Sequence, residues 1–193
     1  MPRVSAPEFE RLPLRVHTIL AGVPLHDAWA IDLPHSRAGI TLDEFLRATR
    51  DGALKPSPLV RLLLGIRLFV GRLFGWDHCT LASAGETFAS RLTSTDLDAS
   101  LVAAGTQDGA FRVVYRFENE QLVELTNRTV HAGALTALLE TESAYRFYIG
   151  VYVRQLDWFT RFYMAIIDPV RRLVVYPSLL RSVRSRWIQT FGA

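Results

Sequence analysis

Lysine is almost missing from this chain: among 22 Lys and Arg residues only Lys55 is a lysine. Arginine can pair bidentately with carboxylate or phosphate, but a bias this complete is read as genome composition. A formal charge of +3 is too small to argue for nucleic acid, and no such partner is expected. Cysteine occurs once, as Cys79, which excludes an intrachain disulfide and a cysteine cluster for zinc. A single cysteine also leans towards a reducing compartment. The N-terminal stretch lacks the apolar core of a secretory signal and carries acidic residues and prolines instead. Long apolar runs are absent too. The most apolar region, 59–76, is broken by Arg61, Arg67 and Arg72, whereas a lipid-spanning helix needs about 20 mostly apolar residues. The expectation is a soluble cytoplasmic protein with no membrane span. Internal repeats and low-complexity segments are also lacking.

What is there suits one domain. At 193 residues the chain is long enough to bury a real core, and an apolar fraction of 49% with 21% charged residues is ordinary for a globular protein. Residues 1–27 carry Pro2, Pro7, Pro13 and Pro24 and are expected to form an irregular, partly mobile lead-in, followed by one domain over 28–193. Ala28–Leu33 reads as a first strand ending at Pro34. Thr41 and Glu44 fit a capping box opening a helix that stops at Asp51-Gly52. A second helix is expected from Ser57-Pro58 to Gly75, so a helix pair follows the first strand. The segment 77–91 gives no clear pattern, and Thr95 and Asp96 are candidates to cap one helical turn.

The pattern then changes to strands. Expected are Leu101–Ala104, a turn over Gly105–Gly109, Phe111–Phe117, a hairpin turn at Glu118-Asn119-Glu120 and one long run over Leu122–Leu139 with a bulge at Gly133. A last strand covers Tyr145–Arg154. Short turns require antiparallel pairing throughout. The closing helix shows Phe159, Phe162, Tyr163, Ile166, Ile167, Val170, Leu173 and Val174 at helical spacing. A stripe of that size must be covered, since each such side chain is worth roughly 1.5–3 kcal/mol when buried. Pro169 predicts a kink and Pro177-Ser178 a second break. The tail with Arg181, Arg184, Arg186 and Trp187 reads as a solvated helix end, with contact to an anionic membrane surface as the alternative.

Strand, helix pair, antiparallel strands and a long C-terminal helix is the order of the helix-grip fold. The expected class is therefore α+β, with a curved antiparallel sheet wrapped around the last helix. START-like and Bet v-type proteins share that order. The residues also resemble a bacterial family of domains of unknown function, DUF2867. The segments that carry the likeness are His26–Pro34, Thr87–Phe117, Leu125–Ala132 and Tyr148–Arg181. The resemblance implies a fold and a pocket, and it brings no catalytic residue with it.

Asn127, Thr129 and His131 would share one face of a strand, continuing Val123 and Leu125. If that face looks inward, three polar groups line an apolar cavity, the arrangement a small-molecule site uses for orientation. Tyr115 on the neighbouring strand, Tyr152 on the last strand, and Phe159 and Tyr163 on the helix complete the expected ligand-binding set. The alternatives are that these are satisfied core hydrogen bonders, or that the face points out. The leading functional expectation is binding of a small hydrophobic ligand between the sheet and the C-terminal helix. A cyclase- or dehydratase-like enzyme would use His131 as general acid or base, with Tyr115 or Asn127 polarising a carbonyl. The third possibility is an interaction protein without a ligand. No residue is assigned as catalytic, and no nucleophile motif or carboxylate pair stands out. His17, His26, His35, His78 and His131 are dispersed without a ligand motif, so neither a metal nor a cofactor is expected. Gly105–Gly109 is followed by a strand pattern and reads as a turn, not a phosphate cradle.

Overall fold

In a computed structural model, residues 3–34, 36–50, 87–109, 111–126, 130–155 and 171–192 are described. Two short helices open the chain, α1 (Ala6–Glu10) and α2 (Val16–Ile19), followed by strand β1 (Leu25–Pro34) and helix α3 (Leu42–Arg50). A 3-10 turn at Phe88–Arg91 leads into α4 (Ser94–Ala99). Five strands follow: β2 (Gln107–Asp108), β3 (Phe111–Arg116), β4 (Glu120–Thr126), β5 (Val130–Glu140) and β6 (Ala144–Gln155). A π turn at Arg171–Val175 runs into the C-terminal helix α5 (Tyr176–Phe191). The strands form one open antiparallel sheet in the order β1-β6-β5-β4-β3-β2. The class is α+β, as expected.

Both faces of the sheet are covered, which explains why β6 reads as almost continuous aromatic and aliphatic sequence. On one face Ala28, Ala30, Val114, Tyr115, Leu122, Leu135, Tyr148 and Tyr152 pack with Val4, Phe9, Leu14, Val16 and Leu20 from the N-terminal segment and with Phe88. On the other, Trp29, Ile31, Leu33, Leu138, Tyr145, Phe147 and Ile149 pack with Leu42 and Phe45 of α3 and with α5. The segment expected to be an irregular lead-in carries these two short helices. Ser5 caps α1 and Pro7 sits in its first turn, where a missing amide costs nothing. Pro13 lies between the two helices, which cover one face of the sheet. Phe9 rests against Gly150 in mid-β6, where an added Cβ would come within 2.7 Å of the ring.

The C-terminal helix departs from the expected division of labour. Tyr176, Leu180, Val183 and Trp187 are its buried stripe, spaced by four, three and four residues. Trp187, expected at a solvated end, is completely buried against Phe45, Tyr145 and Phe191, and its indole N–H donates to the Pro34 carbonyl at 2.9 Å. Arg181 and Arg184 lie off that stripe. Pro177 does not break the helix, because it falls in the first turn of α5. The stripe from Phe159 to Val170, the kink at Pro169 and the second helix of the pair lie outside the described residues.

Smaller corrections follow from turns and bulges. Thr41 caps α3 as expected, accepting from the Glu44 amide at 3.1 Å, but the Glu44 carboxylate takes the Arg37 guanidinium. The cap of α4 is Thr93, not Thr95, and Asp96 completes its capping box. No strand forms at Leu101–Ala104, and β2 occupies part of the expected turn. The run Leu122–Leu139 is two strands, β4 and β5, which fold back so that Thr126 faces His131. Gly133 is in unbroken register; its missing side chain makes room for Phe88 and Leu20. The bulges lie at Leu25/Asp27 and Val113/Tyr115. The second of these puts Val114 and Tyr115 into the same core, so Tyr115 and Phe117 leave the face that Phe111 and Val113 begin.

Candidate functional site

Of the residues expected to bind a ligand, Tyr115, His131 and Tyr152 all lie on the sheet face that α1 and α2 cover, opposite the face that packs on α5. Asn127, Thr129, Phe159 and Tyr163 lie outside the described residues. His131 pairs across to Thr126 and lies on the Glu124 side of β4, so it does not share a face with Val123 and Leu125. The polar side chains on this face form two separate groups, one around Glu120 and one around Glu124.

The first group lines a cleft of about 820 Å³ at one end of the sheet. Its walls come mainly from three places: Pro13, Leu14 and Arg15 between α1 and α2, Ala99 at the end of α4 with Leu101 beyond it, and Phe117 to Asn119 between β3 and β4. Phe117 reaches the cleft because the Val113/Tyr115 bulge turns it inward, where it stacks on Tyr115 at 4.4 Å. Glu120, the first residue of β4, also lines the cleft, although only 5% of its surface is exposed. Its Oε1 accepts the Arg15 backbone amide at 2.8 Å. Burial raises its carboxyl to about 7, against the opposing pull of the Arg15 and Val16 amides. The nearby Arg15 guanidinium does not neutralise it, because that guanidinium is committed to Asp96 through bonds of 2.8 and 3.0 Å. The bidentate pair holds Asp96 well below the usual carboxylate range.

Beneath Glu120 the core is polar and imperfectly satisfied. Tyr115 is completely buried, and burial, then the neighbouring Glu120 and Tyr152, push its phenol up. Tyr115 and Glu120 are near enough for each to shift the other's ionisation, yet neither the Tyr115 hydroxyl nor Glu120 Oε2 makes a hydrogen bond of good geometry. Tyr152, pushed up by burial, has its hydroxyl 3.5 Å from His17 Nδ1, and burial lowers His17. His17 Nε2 is a third buried atom without a partner. Each such atom costs about 1–3 kcal/mol.

The second group is a closed pair. His131 Nε2 lies 2.9 Å from Glu124 Oε2, which also accepts the Phe88 amide at 2.9 Å. The Phe88 ring stacks on the imidazole at 3.7 Å and 14°. Gly133 admits that ring to the sheet. Glu124 and His131 are both about 95% buried, so the pair is shielded from solvent.

Sequence reasoning missed Glu120, Glu124, Arg15 and Asp96 as members of these groups. The local pattern places Glu120 in a turn, yet Glu120, Leu122 and Glu124 alternate at the strand period, which is the available signal. Among the described residues no group of His, Cys, Asp and Glu is arranged to hold a metal ion, and no helix is long and apolar enough to cross a membrane.

A family model described as a protein of unknown function (DUF2867) matches residues 19–178. The match takes in all six strands with Tyr115, Glu120, His131 and Tyr152, and leaves Arg15, His17 and Trp187 outside it. No curated protein and no solved structure matches the chain.

Proposed function

The chain belongs to this family of proteins of unknown function, and on that footing we propose that it binds a small, largely apolar molecule in the cleft at Glu120. One observation carries the reading: Glu120, a carboxyl raised by burial, lines a cleft whose other walls are mainly apolar. Apolar walls with a few convergent polar groups are the usual make-up of a small-molecule site. A perturbed carboxyl in a cleft is a recognised marker of function. The helix-grip arrangement is retained as part of the proposal, supported by the seating of α5 along Tyr176, Leu180, Val183 and Trp187. The proposal moves the ligand from the α5 side to the opposite face, on the ground that Tyr115 and Tyr152 side with α1 and α2.

Native mass spectrometry of protein purified from its own host tests it. The expected result is a retained small molecule that is lost in Leu101→Trp, which fills the cleft from an exposed position. Retention that is unchanged by Leu101→Trp overturns the assignment to this cleft.

A second reading, an enzyme of the cyclase or dehydratase kind, is favoured by the bond between His131 and Glu124. A carboxylate on one ring nitrogen orients the imidazole, which suits a general acid or base. The burial of the pair under Phe88 weighs against it. With a substrate in hand, unchanged turnover in His131→Gln would remove it.

A further inference from the structure

We infer that one flank of α5 docks on an anionic lipid surface, with Arg181 and Arg184 at the headgroups and Leu173 and Ile188 entering the apolar layer beneath them. The inference is independent of the cleft at Glu120, which lies on the opposite face of the sheet.

Charge and exposed apolar surface coincide on this helix. All 19 Asp and Glu residues lie before residue 169, where they outnumber the Lys and Arg, while 169–193 hold five arginines and no acid. The +3 of the chain is thus concentrated in its last elements. Two of these arginines turn to the protein, Arg171 to the Tyr176 hydroxyl and Arg172 to Asp27. Arg181 and Arg184 are exposed and have no ion-pair partner among the described residues. Arg181 Nε donates to the Pro177 carbonyl at 3.1 Å, which lays the side chain along the helix. Helical geometry puts the two on one line. Pro177, Arg181, Arg184 and Ile188 each follow by one residue a member of the buried stripe Tyr176, Leu180, Val183 and Trp187, so they form a second stripe about 100° round the helix. Ile188 is 45% exposed, and Leu173, one turn ahead of Pro177, is 77% exposed, the highest value among the exposed large apolar side chains. The other such side chains have acidic company: Leu97 lies between Asp96 and Asp98, and Phe111 pairs with Asp108. Around α5 the acids are matched. Asp43 and Glu44 of α3, the helix packed on Trp187 and Phe191, are held by Arg47 and Arg37.

The apolar ends of the stripe select among polyanions. Single-stranded nucleic acid is held by aromatic side chains under its bases, whereas the exposed apolar groups here are aliphatic and Trp187 is buried. A second copy docked face to face would set Arg181 and Arg184 of the two chains against each other. A bilayer interface offers anionic headgroups above an apolar layer, and so matches both the arginines and the aliphatic side chains.

Cosedimentation of the full chain with vesicles tests the inference, using phosphatidylcholine alone and phosphatidylcholine with phosphatidylglycerol in equal parts. Binding to the anionic vesicles is expected to be roughly tenfold or more tighter, and to weaken as salt is raised. Each arginine near the surface is worth about fivefold, so Arg181→Gln and Arg184→Gln combined in one chain should weaken binding roughly twentyfold. Leu173→Gln should weaken it roughly tenfold through the lost apolar contact. All three positions are exposed, so the thermal midpoints should stay at the wild-type value. Arg11→Gln, an exposed arginine at the end of α1 on the other side of the sheet, should leave binding unchanged. Equal affinity for the two vesicles, no binding to either, or a loss in Arg11→Gln equal to that of the paired variant overturns the inference. Preference for duplex RNA or DNA over the anionic vesicles, with no effect of Leu173→Gln, overturns it in favour of a nucleic acid.

Discussion

Phe9 lies directly over Gly150: a Cβ on that glycine would stand 2.7 Å from Cζ and 3.1 Å from Cε1 of the ring. The contact joins the first helix to the strand next to the sheet edge, and it is possible only because the strand is bare at that position. Gly150→Ala is therefore expected to destabilise the protein by about 1–3 kcal/mol through overpacking, read as a lower urea midpoint. If the lead-in were merely draped over the sheet, the midpoint would not fall.

Trp187 should prove a main anchor of the C-terminal helix. It is completely buried and bonded to the Pro34 carbonyl at the end of β1. Trp187→Ala is expected to cost about 3–5 kcal/mol. Trp187→Phe keeps the ring among Phe45, Tyr145 and Phe191 and loses the indole donor, so about 1–3 kcal/mol is expected from the carbonyl left without it. Equal losses in the two variants, by chemical denaturation, would contradict this reading.

The Arg15–Asp96 pair predicts a particular acid limb. Asp96 is held below its ordinary value first by the hydrogen bond from Arg15 and then by Thr93. A carboxyl depressed in the folded state contributes stability above its unfolded value, near 3.8, and loses it as pH falls towards the folded one. Asp96→Asn should flatten the fall in stability below about pH 4, seen as a weaker pH dependence of the thermal midpoint. A wild-type acid limb in that variant would remove the pair from the account.

Glu120 predicts the opposite slope. Its carboxyl is raised by burial from 4.5 to about 7 in the folded protein. The folded state therefore holds a proton that the unfolded chain has lost, and the associated stability is present below 4.5 and lost as pH rises through about 7. The loss is on the order of 3 kcal/mol. Glu120→Gln keeps an acceptor for the Arg15 amide and cannot ionise, so its stability should be flat over that window and exceed the wild type near pH 8. Parallel pH profiles for the two proteins would show that Glu120 is not buried as described.

Much of the architecture could be read from the residues because the local signals agree with the packing. Thr41 caps α3, Pro34 ends β1, and the aromatic run to Arg154 is a strand. Several failures share a physical source: pattern assigns a residue to an element but not to a face. Tyr115 was correctly in a strand, yet the bulge before it changed the side it serves. Trp187 lay in an arginine-rich tail, where charge around the helix obscured the stripe through Tyr176, Leu180 and Val183. Glu120 ended an apparent turn, and only the chain reversal at the β3–β4 hairpin brings it under Arg15. Asp96 completes the capping box of α4, but its ion-pair partner Arg15 lies 81 residues away in sequence. The site is a product of such long-range encounters, and that is why its members carry no local motif.

The strand order has a consequence for synthesis. β1 occupies the sheet edge and pairs with β6, so Trp29 waits for Ile149 and Ile31 for Phe147. At about 5–20 residues per second on the ribosome, the first strand spends on the order of ten seconds without its partner. During that interval α1, α2 and α3 can reach the apolar segment from Ala28 to Leu33, but its hydrogen-bonding partner strand is missing. The nascent chain is thus most exposed to misassociation before β6 emerges, and a chaperone that shields its first third would act on β1.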